Sequence, residues 1–583
     1  MRRFTADFET TTDENDCRVW AYALCEIGNV KNFIYGNNID DFIEFCMQKE
    51  NYTLYFHNLK FDAEYIIYYL LTHGFTCIKD KKERNDKTFT CLISEMGQFY
   101  SLEIYFKTSN KKHINKVTIY DSLKILNFSV EKIAKDFNLP IRKLELDYHE
   151  KREIGHELTE HEINYIRNDV EIMARALEIM FQEKLTKMTI GSDAISFYKM
   201  LNPNFDNYFP ILPFEIDAEC RKSYKGGFTY LNPIYKGKET GAGIVFDKNS
   251  MYPAKMKNEK LPFGMPIFFE GKYKKDNLYN LYIQTFSCSF KLKKGKIPSI
   301  QIRNNLSFVP NEYVESTNGD IVTLTLTNID LELFYNNYDV YDETWHNGFK
   351  FKSVKGLFSG YIDYWTEKKI KAKKEDNGAL YKIAKLMLNS LYGKFGLNPR
   401  VRGKFPTLDE TGVIKYRFYD EEIRDSIYVP VASFITAYAR KDIIESSEKI
   451  REYSTKKYGK DLYIYSDTDS IHCLLNEKDV EELKSTMDID DYLLGFWKLE
   501  SKFRRGKFLR QKCYIEENEM CEIQTTVAGL PKKLGKYINF NNFVEGFQIL
   551  ADDDEFEHNL RFKHVKGGVL LVDTDFTIKW KGW

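Results

Sequence analysis

The segment from Leu462 to Cys473 constrains this chain more than any other. Leu462, Tyr463 and Ile464 lead into Tyr465-Ser466-Asp467-Thr468-Asp469-Ser470, and Ile471, His472 and Cys473 follow. The apolar flanks predict a strand, and residues i and i+2 of a strand leave the same face. Asp467 and Asp469 are therefore expected at one spot, as a holder for magnesium, a hard cation that favours carboxylate and phosphate oxygen. Exposed acid pairs with this spacing are common, so the weight of this one rests on a third carboxylate. Asp247 supplies it, at the end of the short apolar strand Ile244-Val245-Phe246 and before a turn closed by Pro253. Two ions about 3.5–4 Å apart need carboxylates from separate strands. Asp247 and Asp469, with Asp467 beside them, meet that need for an in-line phosphoryl displacement.

Between these acids lies Leu380 to Phe395, rich in helix formers and free of proline. Lys385, Asn389 and the pair Tyr392-Gly393 fall at i, i+4 and i+7/i+8, on one helix face. That face offers a cation for a triphosphate, an amide, and an aromatic ring beside a glycine that lets a base pair approach the backbone.

A second acidic set stands near the N-terminus. Asp7 and Glu9 lie two apart in strand-like sequence, Asp62 follows the apolar segment at Tyr55-Phe56, and Tyr165 and Asp169 share one side of a predicted helix. Four carboxylates from strands and a helix suit a two-metal hydrolysis with water as nucleophile. Ten histidines and no Cys-x-x-Cys give no zinc pattern, and His57 reads as a structural, hydrogen-bonded residue beside Asn58.

The three C-terminal segments, in this order, resemble motifs A, B and C of family B DNA polymerases, and most closely those of the protein-primed branch, the phi-twenty-nine-like phage replicases. Tyr224-Lys225-Gly226-Gly227, Thr436 to Arg440, and Lys512-Cys513-Tyr514 add to the match, which runs from about Phe4 to the C-terminus. Met251 and Cys513 stand where the family usually has leucine and threonine.

The resemblance implies roles residue by residue. Asp247 and Asp469 become the metal-binding pair, with Asp467 beside them. Tyr252 becomes the wall that excludes a ribose 2′-hydroxyl, since rejecting an added hydroxyl takes a steric barrier. Lys385 contacts the incoming phosphates, Asn389 and Tyr392 check the nascent base pair, and Lys512 steadies primer terminus and triphosphate. Lys371 and Lys382, in a segment richer in lysine than the family pattern, are assigned to the nucleotide as well. Tyr224, Gly226, Gly227, Gly393, Thr436, Arg440 and Tyr514 are assigned to DNA.

The N-terminal set resembles the motifs of proofreading 3′→5′ exonucleases. By that resemblance Asp7, Glu9, Asp62 and Asp169 bind metal, Thr10 and Asn58 touch the primer strand, and Tyr165 assists the attacking water. Phe61, Ser122, Leu123 and Tyr148 hold single-stranded primer, and Lys143 assists catalysis.

The implied fold is α+β and multidomain: an RNase H-like exonuclease domain and a right-hand polymerase of palm, fingers and thumb with two inserted terminal-protein regions. The expected boundaries are 1–187 for the exonuclease, 188–258 and 423–530 for the palm, 357–399 for the fingers and 531–583 for the thumb. The insertions span 259–356, with a strand near Ile321–Leu326 and a helix near Asp330–Phe334, and 400–422, a hairpin around Glu410-Thr411-Gly412. Implied partners are template-primer DNA and a terminal, priming protein. Implied cofactors are Mg²⁺ or Mn²⁺, two ions per site, with deoxynucleoside triphosphates as substrates.

Composition is compatible. A chain of 583 residues suggests roughly four domains at ~150 residues each. A hydrophobic share of 43% allows sizeable cores and excludes a disordered chain. The excess of tyrosine and phenylalanine suits stacking on bases. A net charge of −1 excludes an all-over basic coat. Two local basic runs remain for tracking DNA: Lys502 to Lys512, and Lys368 to Lys374. Irregularly spaced cysteines predict reduced thiols, Arg2-Arg3-Phe4 leaves no signal peptide, and no apolar run nears the ~20 residues of a membrane span. These fit a reduced, cytosolic compartment, and the resemblance implies a monomer in the cytoplasm of a bacterial host, encoded by a phage. A stand-alone exonuclease would leave Tyr252, Lys385 and Asn389 without work, and a non-enzymatic fork accessory would have no use for two carboxylate sets.

Overall fold

The computed structural model describes residues 2–48, 51–107, 114–147, 150–303, 305–553, 557 and 559–579. The N-terminal unit is built on a mixed sheet. Strand Arg2–Thr10 pairs antiparallel with Val19–Glu26 and parallel with Tyr52–Phe56, which runs parallel to Asn115–Asp121. Val19–Glu26 and Tyr52–Phe56 are nearly continuous apolar runs, as expected of strands covered on both faces. Helix Leu59–Thr72 follows one of these strands directly, and helix Glu160–Gln182 packs on Arg2–Thr10 and Val19–Glu26. The second helix starts in a capping box: Thr159 and Glu162 satisfy each other's backbone N–H groups, which fixes where its first turn begins.

The central unit is a second sheet in which Gly243–Lys248 lies between Ser470–Cys473 and Trp497–Arg510, all antiparallel. Helix Val429–Tyr458 packs against Tyr463–Asp467 of this sheet. Pro430 sits in its first turn, where a missing N–H costs nothing, and Gly459 ends it at φ 68. Helices Ser359–Lys374 and Gly378–Phe395 form an antiparallel pair, the second capped by the Asn377 side chain on Leu380 N–H.

The long connection between the central strands folds into its own sheet. Strands Lys260–Glu270, Leu281–Leu292, Val322–Thr327 and Tyr338–Lys355 surround helix Asn328–Asn337. The shorter insertion is a hairpin, Gly403–Leu408 with Ile414–Phe418, turning at Asp409 to Val413. Its docking has no local sequence signal: its first strand pairs with Thr88–Ser94 and so extends the N-terminal sheet. A last hairpin, Asn559–Val565 with Gly568–Thr574, also returns to the N-terminal unit.

The main core joins the units. It includes Met173 and Leu177 of the N-terminal unit, Tyr198, Trp365 and Leu388 of the helical pair and its neighbour, and Phe434 of the long helix. Each such fully buried side chain contributes roughly 1.5–3 kcal/mol relative to exposure, so the acid-bearing elements rest on one shared hydrophobic base.

One local expectation fails. Asp467 and Asp469 do not share the face of a strand. Strand Tyr463–Asp467 ends at the first acid, Thr468 turns left-handed at φ 60, and Ser470 opens the next strand. Asp469 is at the tip of a two-residue hairpin turn, which aims the two carboxylates differently.

Candidate active sites

In the central sheet Asp247 is in register with Ser470 on one side and Lys498 on the other. That register brings Asp247 beside the Asp469 turn. Burial, and after it the Asp247 carboxylate, pushes Asp469 up to about 6, with Asp467 and Glu500 adding to the effect. Lys498 Nζ pairs with Asp247 Oδ2 at 3.2 Å, and the remaining crowded carboxylate oxygens make a donor set that fits a hard divalent cation. Asp467 is held differently: its oxygens accept from Thr229 Oγ1 at 3.0 Å and Tyr465 OH at 3.3 Å, and Lys512 Nζ stands 3.9 Å away. Gly227 backs this turn. A Cβ there would come within 2.9 Å of the Thr468 side chain and 3.1 Å of Tyr252 OH, so only glycine lets the chain pass this close.

Tyr252, in the first turn of helix Met251–Asn258, stacks on Tyr392 of helix Gly378–Phe395. Lys385 and Asn389 are exposed on that same helix, as the spacing predicted. A Cβ at Gly393 would meet no described atom within 4 Å. Across from the acids, Lys369 lies near Lys385 and Lys498; burial, then these like charges, lowers its pKa. Its Nζ is 3.4 Å from Ser250 Oγ beside the Asp247 turn. Three ammonium groups facing three acids make a place for a polyanion bridged by cations.

In the N-terminal unit, carboxylate oxygens of Asp7, Glu9 and Asp169 lie within 4.8 Å of one another. Asp7 is pushed up to about 7 by burial and then by Asp169; Glu9 rises well above its usual range by burial and by Asp7. Asp62 joins them, raised by burial and by Asp7. Asp62 Oδ1 and Asp169 Oδ1 are buried without hydrogen-bond partners. Orphaned buried carboxylate oxygens are costly, so this donor set fits hard divalent cations. Lys143 Nζ pairs with Asp169 Oδ2 and lies 5.2 Å over the ring of Tyr165. Asn58, left-handed at φ 73 and exposed, starts the helix that carries Phe61 and Asp62, with its N–H bound to Asp121 Oδ1 at 3.0 Å. Thr10 ends the first strand, half-buried, and Leu123 is partly open. His57 is structural, held between Ser122 Oγ at 3.0 Å and Phe128 O at 2.7 Å. Tyr148 lies outside the described residues.

Several assignments need correction. Arg440 is buried and closes a bidentate ion pair with Asp330, at 2.8 Å for the shortest contact. It also donates to the carbonyls of Lys225 and Gly226. With every donor nitrogen engaged, it braces the Gly226-Gly227 turn and leaves nothing for DNA. Thr436 is buried too, its hydroxyl returned to Ala432 O on its own helix. Ser122 is enclosed, with Oγ donating to Phe56 O, and cannot hold a strand by its hydroxyl. Lys371 points outward, 70% exposed and near Glu375, while Lys382 pairs with Asp136 of the N-terminal unit at 3.1 Å. Tyr224, half-buried with its ring against Gly396, and Tyr514, stacked on Phe508, are not contradicted by their placement. The two basic runs are partly neutralised within the protein: Lys502 by Glu477, Arg505 by Glu517, Lys368 by Glu183.

Glu500 and Arg152 were not expected from the sequence, and Lys369 was expected only within a basic run that tracks DNA. Lys369 was legible in principle, because it follows buried Trp365 by four residues on the inward helix face. Glu500 had no signal; it reaches the site as the residue two beyond Lys498, and burial and Asp247 raise its pKa. Arg152 is buried, stacked 4.2 Å over Trp20. It donates to Glu162, Asp147 O and Glu150 O, tying the irregular segment after Lys143 to the first turn of the Tyr165–Asp169 helix.

Comparison with known proteins agrees with this geometry. Residues 43–486 match the family model of DNA polymerase type B, organellar and viral. The DNA polymerase of Bacillus phage M2 is 44% identical over 99% of this chain and 100% of its own, and that of Streptococcus phage Cp-1 is 32% identical over 99% and 98%. Phi29 DNA polymerase, solved with primer-template DNA and incoming nucleotide substrates, superposes at a TM-score of 0.90 with 42% identity, covering 99% of this chain and 100% of that one. No described helix is long and apolar enough to cross a membrane. On the family match, the identities over the full chain and the superposition, the chain belongs to the type B DNA polymerases, in their phi29-like phage branch.

Proposed function

We propose that this replicative DNA polymerase is protein-primed and strand-displacing, proofreads in the 3′→5′ direction, and runs two-metal phosphoryl transfer at both acid sets. The convergence of Asp247 and Asp469 opposite Lys369, Lys385 and Lys498 carries the synthetic half. There the 3′-hydroxyl of a primer, or a hydroxyl of a terminal protein at initiation, attacks the α-phosphate of a deoxynucleoside triphosphate. The new P–O bond forms as the bond to the β-phosphate oxygen breaks, and pyrophosphate leaves. Lys369 and Lys385 bind the triphosphate charge, Lys512 steadies the primer end, and Tyr252 occupies the space of a 2′-hydroxyl. Asp247 and Asp469 would hold Mg²⁺ or Mn²⁺, which supplies charge neutralisation and an acidified hydroxyl when bound.

The second site supports hydrolysis. Asp7, Glu9, Asp62 and Asp169 would hold the cations there, Tyr165 orients the attacking water, and Lys143 steadies Asp169. Thr10, Asn58, Phe61 and Leu123 lie along the entry for a frayed primer end. The orphaned oxygens of Asp62 and Asp169 favour this reading. The protein would act as a monomer on template-primer DNA in the cytoplasm of a phage-infected bacterium.

Extension of a primed template with deoxynucleotides and magnesium, with removal of a mismatched 3′ end, tests the two activities together. Labelled nucleotide offered with candidate small phage proteins tests priming: a covalent protein–nucleotide adduct is expected. A polymerase that extends DNA primers but forms no such adduct with its cognate phage's proteins would remove the protein-primed part.

A further inference from the structure

Lys498 and Asp247 stand directly opposite each other where strand Trp497–Arg510 pairs antiparallel with Gly243–Lys248. Lys498 Nζ reaches Asp247 Oδ2 at 3.2 Å, and the two side chains are 32% and 23% exposed, so the ammonium has room to move. Local sequence explains the placement. Phe246, Trp497 and Leu499 all pack into the core on one side of the sheet. Alternation therefore turns Asp247 and Lys498 together to the other side, where opposite charges across a strand pair attract. Asp469 is on that side as well, since the Asp247 carboxylate raises its pKa.

A second acid is within reach of the same ammonium. The register steps from Phe246 opposite Leu499 to Val245 opposite Ser501, which leaves Glu500 as the extra residue of a β-bulge. Bulges re-aim a side chain and recur beside active sites. Glu500 lies close enough for Asp247 to raise its pKa and for Lys498 to oppose that rise. The other ammonium groups around these acids are held elsewhere. Lys369 is 3.4 Å from Ser250 Oγ, and Lys512 is 3.9 Å from Asp467. Among the described residues, Lys498 alone forms an ion pair with Asp247.

An ammonium and a divalent ion repel each other and cannot share one carboxylate oxygen at close range. Lysine carries its charge on a flexible four-carbon stem, so it can leave an acid without any movement of the strand. We propose that Lys498 is a built-in competitor for the divalent ion at Asp247: it holds this carboxylate in the resting enzyme and passes toward Glu500 when the ion binds. The proposal rests on the reading above that Asp247 and Asp469 hold metal. Its consequence is a synthetic site that binds metal weakly until a nucleotide arrives, because the phosphates favour the ion and draw the ammonium away. Metal and nucleotide binding are thereby coupled through one side chain.

The test reads cation binding directly, by Mn²⁺ titration of the nucleotide-free full chain followed by electron paramagnetic resonance. All proteins carry Asp169→Ala to weaken the N-terminal set, and the binding lost on adding Asp469→Asn marks the synthetic site. Lys498→Ala and Lys498→Gln are each expected to tighten Mn²⁺ at that site about 10-fold, the scale of one charge-assisted contact removed. Lys498→Arg keeps the charge and is expected to stay near wild type. Lys369→Ala removes a neighbouring ammonium that has no hold on Asp247, and is expected to tighten Mn²⁺ far less. Unchanged or weaker binding in both neutral variants of Lys498 would overturn the proposal. An equal gain in Lys369→Ala would also overturn it, since that marks the general field of the site and not competition for one oxygen. If Asp469→Asn removed no Mn²⁺ binding, or wild-type enzyme could not extend a primer, the functional reading itself would be struck instead.

Discussion

The ring of Tyr252 stacks on that of Tyr392, with centroids 4.1 Å apart and planes inclined by 29°. One ring comes from the turn after Asp247, the other from the helix that carries Lys385. Such a pair is worth about 0.5–1.5 kcal/mol beyond its buried area, and it fixes the Tyr252 ring where it can act as a wall.

Replacing the wall is the first prediction. Tyr252→Val is expected to lower the preference for deoxy- over ribonucleotides by about 10²-fold in kcat/KM, since an apolar pocket without a barrier rejects a hydroxyl weakly. Tyr392→Phe keeps the stack and is expected to change the ratio little. Steady-state kinetics with matched nucleotide pairs decide it; an unaltered ratio in Tyr252→Val would remove the gate from this residue.

Two lysines on one helix should behave oppositely. Lys369 lies near Lys385 and Lys498 and 3.4 Å from Ser250 Oγ, while Lys371 faces solvent. Lys369→Ala is expected to raise the nucleotide KM by about tenfold, the effect of one charge-assisted phosphate contact, and Lys371→Ala to leave it unchanged. The reverse order would remove the phosphate contact from Lys369.

Arg440 offers a stability test. Its pair with Asp330 is buried, and removing one partner strands the other, at a cost of about 3–5 kcal/mol. Arg440→Ala is therefore expected to lower the urea midpoint strongly while the salt dependence of DNA binding stays as in wild type. A stable Arg440→Ala protein with a shallower salt slope would return this residue to the DNA interface.

Proton and metal should compete at Asp7. Burial, with Asp169 behind it, pushes this carboxyl up to about 7, well above the usual carboxylate range. Without cation the folded protein binds more protons than the unfolded chain across that interval. By linkage its stability is fullest below the unfolded value and is lost as pH rises through about 7. In chelator, the thermal midpoint is expected to fall between about pH 5.5 and about pH 8, and Asp7→Asn to flatten that fall. Magnesium at about 100 times its dissociation constant would restore about 2.7 kcal/mol at the alkaline end. A midpoint that rises across this range in chelator would contradict the crowded-carboxylate picture.

Much of this was legible in the chain. Most local patterns that mark the acids survive folding: Asp7 and Glu9 do share a strand, Asp247 does stand in a short apolar strand, and Lys385 and Asn389 do share an exposed helix face. The backbone turn at Thr468 was not legible, because a left-handed threonine leaves no compositional mark. Burial was the other blind spot. Arg440, Thr436 and Ser122 read as polar contacts for DNA, yet their partners, Asp330 above all, come from segments that no local spacing connects to them. Glu500 and the pairing of Lys498 with Asp247 depend likewise on register between distant strands.

The central claim is that two separate sets of carboxylates serve two separate reactions. Asp469→Asn and Asp169→Ala, assayed side by side for primer extension and for digestion of a single strand, test it most directly. Asp469→Asn is expected to lose extension and keep digestion, and Asp169→Ala to lose digestion and keep extension. Either substitution abolishing both activities in a folded protein, or Asp469→Asn extending primers at the wild-type rate, would contradict it.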